Sequence, residues 1–228
     1  MGTKMLDIAV CKDFAKANIA VTLGVVQCSV TVTEPGQALG EALDNAAAER
    51  LTSLSGGTVG DIAQISATRH AYKTLGKDPS RYRPSAEALA RRLTQGKGLY
   101  RINNVVDTNN LLSLKTGFSI GAYDVSTLEP PVVFRKGRTD EGYKAIGRGR
   151  LNLENLPVFA DSEGPFGSPT SDSERSLVSI DTDEILMVII GFGETPDISS
   201  ALEFAAERLR LFCYAKDIHT DIATNRPL

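Results

Sequence analysis

The 228-residue chain contains no tryptophan, two histidines and three cysteines, and only 6% of its residues are aromatic. The histidines, His70 and His219, lie far apart, so the sequence offers no zinc-ligand cluster. The cysteines, Cys11, Cys28 and Cys213, are odd in number and lack CxxC spacing. That excludes a disulfide framework and fits a reduced compartment. The longest apolar run, residues 185–190, is too short to cross a bilayer. The opening "MGTKMLDIAV" has no apolar signal core, and Leu6 stands where a myristoylation motif needs Ser or Thr. These absences predict a cytoplasmic protein with no membrane partner, no metal and no cofactor.

What is present is a chain able to bury a core, 42% hydrophobic and 23% charged. Its net charge of −3 is unevenly spread. Residues 69–150 carry +9 and the remainder −12. Within "RYRPSAEALARRLTQGKGLYR" (81–101), Arg81, Arg83, Arg91, Arg92, Lys97 and Arg101 face a single acid, Glu87. This stretch is the best candidate surface for a nucleic-acid backbone, if the fold keeps its charges on one face.

Residues 5–10 and 18–32 read as strands, the second rich in β-branched residues. Apolar spacing predicts helices over 37–54 and about 61–75, the latter stopped by Gly76. A helix over about 85–95 follows Pro84, with Ser85 as its cap, and a short one spans about 106–115. "FSIGAYDV", "VVFRKG", "YKAIGR", "PVFAD" and "EILMVIIGF" read as strands, with "VVFRKG" and "YKAIGR" forming a hairpin around "RTDEG". A last helix covers about 197–215, leaving His219 in an exposed polar tail. Strands, helices, strands and a final helix make an α+β order. The chain divides into N-terminal strands and a helix (1–60) packed on a main body (61–228), one compact unit.

Two motifs invite chemistry and lack the context for it. "GFSIG" (117–121) matches the GxSxG nucleophile pattern, but a helix precedes Ser119 and a strand follows, the reverse of a nucleophile elbow. "GFGETP" (191–196) places GxG between strand and helix, and a tight turn accounts for it without a phosphate. "INNVVDTNNLLSL" (102–114) is less ordinary. Its asparagines, Asn103, Asn104, Asn109 and Asn110, can cap a helix or hold polar groups of a ligand.

"RINNVVDTNNLLSLKTGFSIGAYDV" resembles the B3/B4 domain of the phenylalanyl-tRNA synthetase β subunit. The matching positions are Ile102, Asn103, Val105, Val106, Asp107, Asn110, Gly117, Tyr123 and Asp124. Further on, Ala160, Asp161, Gly164, Pro165, Glu174 and the strand 185–191 follow the same family's order. With "YRPSAEAL" (82–89), the chain is most similar to free-standing members of that family, over about residues 62–192. The resemblance implies a three-layer β/β/α sandwich. It also implies a stand-alone protein that binds aminoacyl-tRNA and hydrolyses mischarged tRNA in trans, releasing tyrosine or a related amino acid. A second site is needed there because a synthetic pocket rejects an added hydroxyl only weakly.

Under the resemblance, Glu174 would recognise a polar group on the amino acid. Asn103, Asn110, Ser119 and Gly121 would line the pocket, and the cations of 81–101 would contact phosphates. The chain departs from the family at Gly121, where a histidine is expected, and at Ser119, where a proline is expected. No catalytic residue is therefore assigned, and nothing resembles an aminoacylating domain. The alternatives are a non-enzymatic module for a free amino acid or small metabolite, and an RNA-binding accessory protein.

Overall fold

The computed structural model describes residues 5–193 and 197–225. Two four-stranded sheets dominate it. The first runs in the order β1 (Ile8–Val10), β4 (Val132–Lys136), β7 (Pro157–Asp161), β8 (Gly164–Gly167). The second runs β10 (Lys216–Thr224), β2 (Val21–Ser29), β9 (Glu184–Phe192), β3 (Ser119–Asp124), antiparallel throughout. A two-stranded ribbon, β5 (Gly142–Lys144) with β6 (Arg150–Asn152), stands apart.

Strand β9 shows how the core is built. Leu186, Val188, Ile190 and Phe192 pack with Phe134, Phe159 and Phe166 of the first sheet. Ile185, Met187 and Ile189 pack on the opposite face with α5 (Asn104–Thr116) and α6 (Ile198–Cys213). A strand covered on both faces needs an unbroken apolar run rather than alternation. Gly24 on β2 lets α6 approach closely, since a Cβ there would sit 2.7 Å from Ile198 Cγ2. The first sixty residues supply β2 to the middle of this sheet and α2 (Gln37–Ser53) to the outer side of α5.

Helices α3 (Ala63–Leu75) and α4 (Ser85–Thr94) lie where the periodicity places them, and Gly76 ends α3 in the left-handed region at φ 92°. Three expectations need correction. The cap of α4 is Pro84, and Ser85 is the first helical residue, its N–H donating to Pro169 O at 2.7 Å. The "VVFRKG"/"YKAIGR" hairpin does not form: β4 pairs with β1 and β7, and β5 with β6. Glu141, one of the two acids of the expected tip, is bound by Arg135 at 2.6 and 2.8 Å and by Arg138 N. These bonds and the Gly137 N–H to Leu156 O turn the chain out of the first sheet. Third, the polar tail is strand β10, with His219 exposed on it. Its Ile218, Thr220 and Ile222 alternate at strand period, and Asn225 clamps its end to Val21 N and Ile19 O.

Among the described residues no helix is long and apolar enough to cross a membrane.

Candidate functional site

One stripe of α4 and its C-cap (Ser85, Ala88, Leu89, Arg92, then Gln95) and two positions one turn apart on α5 (Val106, Asn110) form one side of a groove of about 830 Å³. The other side is the β5–β6 turn at Ile146–Arg148 and the loop after β8 at Thr170 and Ser171. The two segments of that side are tied together by Ile146 N donating to Asp172 O (2.9 Å) and by a bridge between Ala145 and Ser173.

Arg83, Arg91, Arg92, Lys97 and Arg148 all line the groove, and among the described residues no carboxylate does. The balancing acid lies underneath. Glu87 is fully buried, bound by Arg69 at 2.8 and 2.9 Å and by Arg91 Nε at 2.8 Å, with Arg83 Nε at 3.8 Å. One carboxylate thus anchors three guanidinium groups and leaves the cluster positive. At the mouth, Arg92 stacks 3.8 Å above the ring of Tyr100, which is 64% exposed. Exposed Ile102 and Ile146 complete an apolar rim. The arrangement joins a cationic floor to an aromatic platform, the pair of features that holds a phosphate chain and stacks a base.

The predicted residues separate into those that meet here and those that do not. Arg83, Arg91, Arg92, Lys97 and Asn110 converge on the groove. Arg101 turns away to Asp44 at 2.6 Å, and exposed Arg81 sits beside Tyr82, 5.8 Å from its ring. Asn103 caps α5 by accepting from Val106 N at 2.8 Å. Asn104 accepts from Thr33 N and donates to Thr31 O and Phe212 O, and Asn109 donates to Ile120 O. Ser119 is buried on β3, 3.4 Å from Ala86 N. His70 is exposed on α3. Residues 194–196 of the GxG stretch lie outside the described residues.

Glu174 does not line the groove. It opens a 3-10 turn, is exposed, and pairs with Lys144 at 2.7 Å. Its neighbour Arg175 reaches instead to Asp161, in two bonds of 2.9 and 3.0 Å. The Asp161 side chain is fully buried. Burial pushes its carboxyl upward, but Arg175 and the N–H groups of Glu129 and Glu163 outweigh this and hold it below the usual range.

At Gly121 there is no room for a side chain. The Tyr123 side chain folds back so that its hydroxyl occupies the place where a Cβ on Gly121 would stand, and a Cβ on Gly167 would meet the same ring. Two glycines, one from each sheet, make room for one phenol. Tyr123 is packed edge-on against Phe166 (4.9 Å) and donates to Asp172 Oδ1 at 3.1 Å.

The sequence reading passed over Asp172, Arg148 and Tyr100. Asp172 accepts from Tyr123 and from Ser168 N, with no cation bonded to it. It keeps slight solvent contact, yet dense protein around the carboxyl pushes it up to about 7, the two hydrogen bonds opposing. Arg148 sits in "GRGR" (147–150), where the glycine turn was the available signal. Tyr100 had none beyond its place in a basic stretch. Among the described residues no cluster of His, Cys, Asp and Glu could hold a metal.

Comparison with known proteins bears on this geometry. A crystal structure of an N-terminal fragment of the phenylalanyl-tRNA synthetase β subunit from Pyrococcus horikoshii superposes with TM-score 0.53, covering 99% of this chain and 55% of that one. At 14% identity the likeness is one of fold, mixed α+β. The phenylalanine–tRNA ligase β subunit of Symbiobacterium thermophilum is 29% identical over 124 residues, which are 53% of this chain and 14% of that protein. The chain thus matches only a small part of that relative's length. The B3/4 domain model matches residues 67–213, well over half of the chain, and the chain belongs to the B3/4 domain family, related to the N-terminal region of the synthetase β subunit.

Proposed function

We propose that this protein binds the acceptor end of an aminoacyl-tRNA in the groove between α4 and the β5–β6 turn and deacylates mischarged tRNA in trans. The observation that carries the reading is the set of five cations with no facing carboxylate, bordered by exposed Tyr100. Arg83, Arg91, Arg92, Lys97 and Arg148 would neutralise phosphates, Tyr100 would stack a base, and Asn110 would hold a polar group of the aminoacyl ester. Glu174, one turn beyond the Thr170–Ser171 wall, would recognise the amino acid by exchanging Lys144 for it. The two sheets and the α5–α6 layer are then the three-layer β/β/α sandwich of this family, with residues 1–60 packed into one unit with 61–228. The protein would work in the cytoplasm, where charged tRNA is found.

The filled space at Gly121 favours a second reading, a binding module that does not hydrolyse. With Gly121 where the resemblance places a histidine, ester cleavage has only substrate positioning and a held water to draw on.

Two measurements on the purified protein separate the readings. tRNA affinity is expected to fall with salt, with a log–log slope of about −3 to −4 for five phosphate contacts. A flat salt response would refute nucleic-acid binding in the groove. Release of tyrosine from tyrosyl-tRNA carrying the phenylalanine anticodon, faster than release of phenylalanine, is expected for the deacylase. Tight binding with no release would leave the module reading in its place.

A further inference from the structure

The second large concavity lies on the far side of the second sheet from the aromatic core. Strand β10 is the outermost strand of that sheet. Its inner edge is paired with β2, and among the described residues no backbone bond reaches residues 217–222 from the outer side. Residues 219–222 are exposed throughout. Beside this edge runs a groove of about 800 Å³, floored by Ile218, Thr220 and Ile222 and walled by Leu202, Ala206 and Arg210 of α6. An open edge with a groove of mixed polar and apolar lining next to it is a template for a further strand.

The sequence of the edge indicates which strand fits. In antiparallel pairing, opposite residues share a face, so a two-fold axis relating two copies must pass through a residue. An axis at His219 sets Asp217 against Asp221, and one at Asp221 sets that acid against itself. An axis at Thr220 sets Ile218 against Ile222 on the α6 face and His219 against Asp221 on the other, each pair formed twice. The regular ladder with β2 runs from His219 to Thr224, with Ile218 in the bulge before it, so an axis at Thr220 falls within the ladder. Ile222 is 44% exposed, and Tyr214, at the end of α6, is 62% exposed. Ile222 lies in the edge segment and would be covered by the incoming copy.

The geometry points to a homodimer formed by antiparallel β10–β10 pairing about Thr220, which joins the two four-stranded sheets into one of eight strands. The inference does not depend on what the basic groove binds.

Sedimentation velocity on the full chain, over a concentration series, tests it. The wild type is expected to pass from monomer to dimer at micromolar concentrations. His219→Asp sets an acid opposite Asp221 of the other copy in both symmetry-related pairs, and the dissociation constant should rise by about tenfold. Adding Asp221→Lys sets opposite charges across the axis in place of the two acids and should return it to within about twofold of wild type. Both positions are exposed, and far-UV circular dichroism checks that the variants fold. A wild type that stays monomeric at about 100 μM, far above the affinity of standard interfaces, overturns the proposal. So does a dimer that is indifferent to the single substitution, or a double variant no tighter than the single one.

Discussion

Glu87 and Asp172 are acids set behind opposite sides of the same groove, and they are held in opposite ways. Glu87, on the buried face of α4, is bound by Arg69 and Arg91 and approached by Arg83. Asp172, behind the Thr170–Ser171 wall, has a phenol and a backbone N–H as its partners. Of the cations that neutralise the first acid, Arg83 and Arg91 also face the groove, so it fixes their geometry from beneath. The second lies among Tyr72, Tyr123 and Tyr143, where a charge is poorly tolerated and the carboxyl is pushed up to about 7. One wall organises charge and the other excludes it.

The largest effect should come from removing the organiser. Glu87→Gln leaves three guanidinium groups around a neutral amide, and losing one partner of a buried charge cluster costs about 3 kcal/mol or more. Urea unfolding should show the loss. If tRNA binds in the groove, the variant should also bind it with altered salt dependence, because Arg83 and Arg91 lose their anchor. Unchanged stability would mean that the cluster is no more than a surface network.

Gly121→Ala comes next. The added methyl must displace the Tyr123 hydroxyl, which Gly167 hems in from the other sheet. Overpacking of this kind costs about 1–3 kcal/mol. Tyr123→Phe in the same chain should recover part of it by removing the atom that collides. No recovery would show that the backbone, and not the phenol, sets the limit at this position.

Asp172 gives a test of opposite sign. Its carboxyl is raised to about 7 in the folded protein, against about 4 unfolded. Between those values the folded state binds more protons, so stability should fall as pH rises through the window. Asp172→Asn keeps an oxygen for the Tyr123 hydroxyl and Ser168 N. It should flatten the slope between about pH 4 and 7 and stabilise the protein by about 1–2 kcal/mol at pH 8. For Asp161, held low by Arg175, the sense is reversed: its contribution is present above about pH 4 and is lost as pH falls through its lowered folded-state value.

Much of this contrast was legible in the sequence on one side only. The basic wall is local: Arg83, Arg91, Arg92 and Lys97 lie within fifteen residues on and beside one helix, and helical spacing brings them together. The opposite wall is assembled from β5–β6 and the 168–176 loop, whose pairing depends on where the chain leaves β4. Nothing local in "RKGRTDEGYK" distinguishes a hairpin from the Arg135–Glu141 lock that forms. Strand β10 was hidden for a related reason. Its alternating β-branched residues are interrupted by Lys216, Asp217, His219 and Asp221, as suits an edge exposed on one side. The asparagine cluster was recognisable as unusual, but only the fold separates the cap Asn103 and the clamp Asn104 from groove-facing Asn110.

Glu174 provides the smallest expected effect on stability and the sharpest test of the aminoacyl reading. Its pair with Lys144 joins a largely exposed lysine to a side chain that is itself 41% exposed. Such a pair contributes about 0.5 kcal/mol or less. Glu174→Gln should therefore leave urea unfolding unchanged, and tRNA affinity with it, since the groove's cations are untouched. What should change is discrimination between tyrosyl and phenylalanyl esters, because an amide accepts a phenol hydroxyl less strongly than a carboxylate does. Lys144→Ala supplies the complement. It frees Glu174 at no cost to the groove and should sharpen the same discrimination. Equal treatment of both esters by wild type and both variants would remove Glu174 from the site, leaving Lys144–Glu174 as a surface pair between the ribbon and the loop.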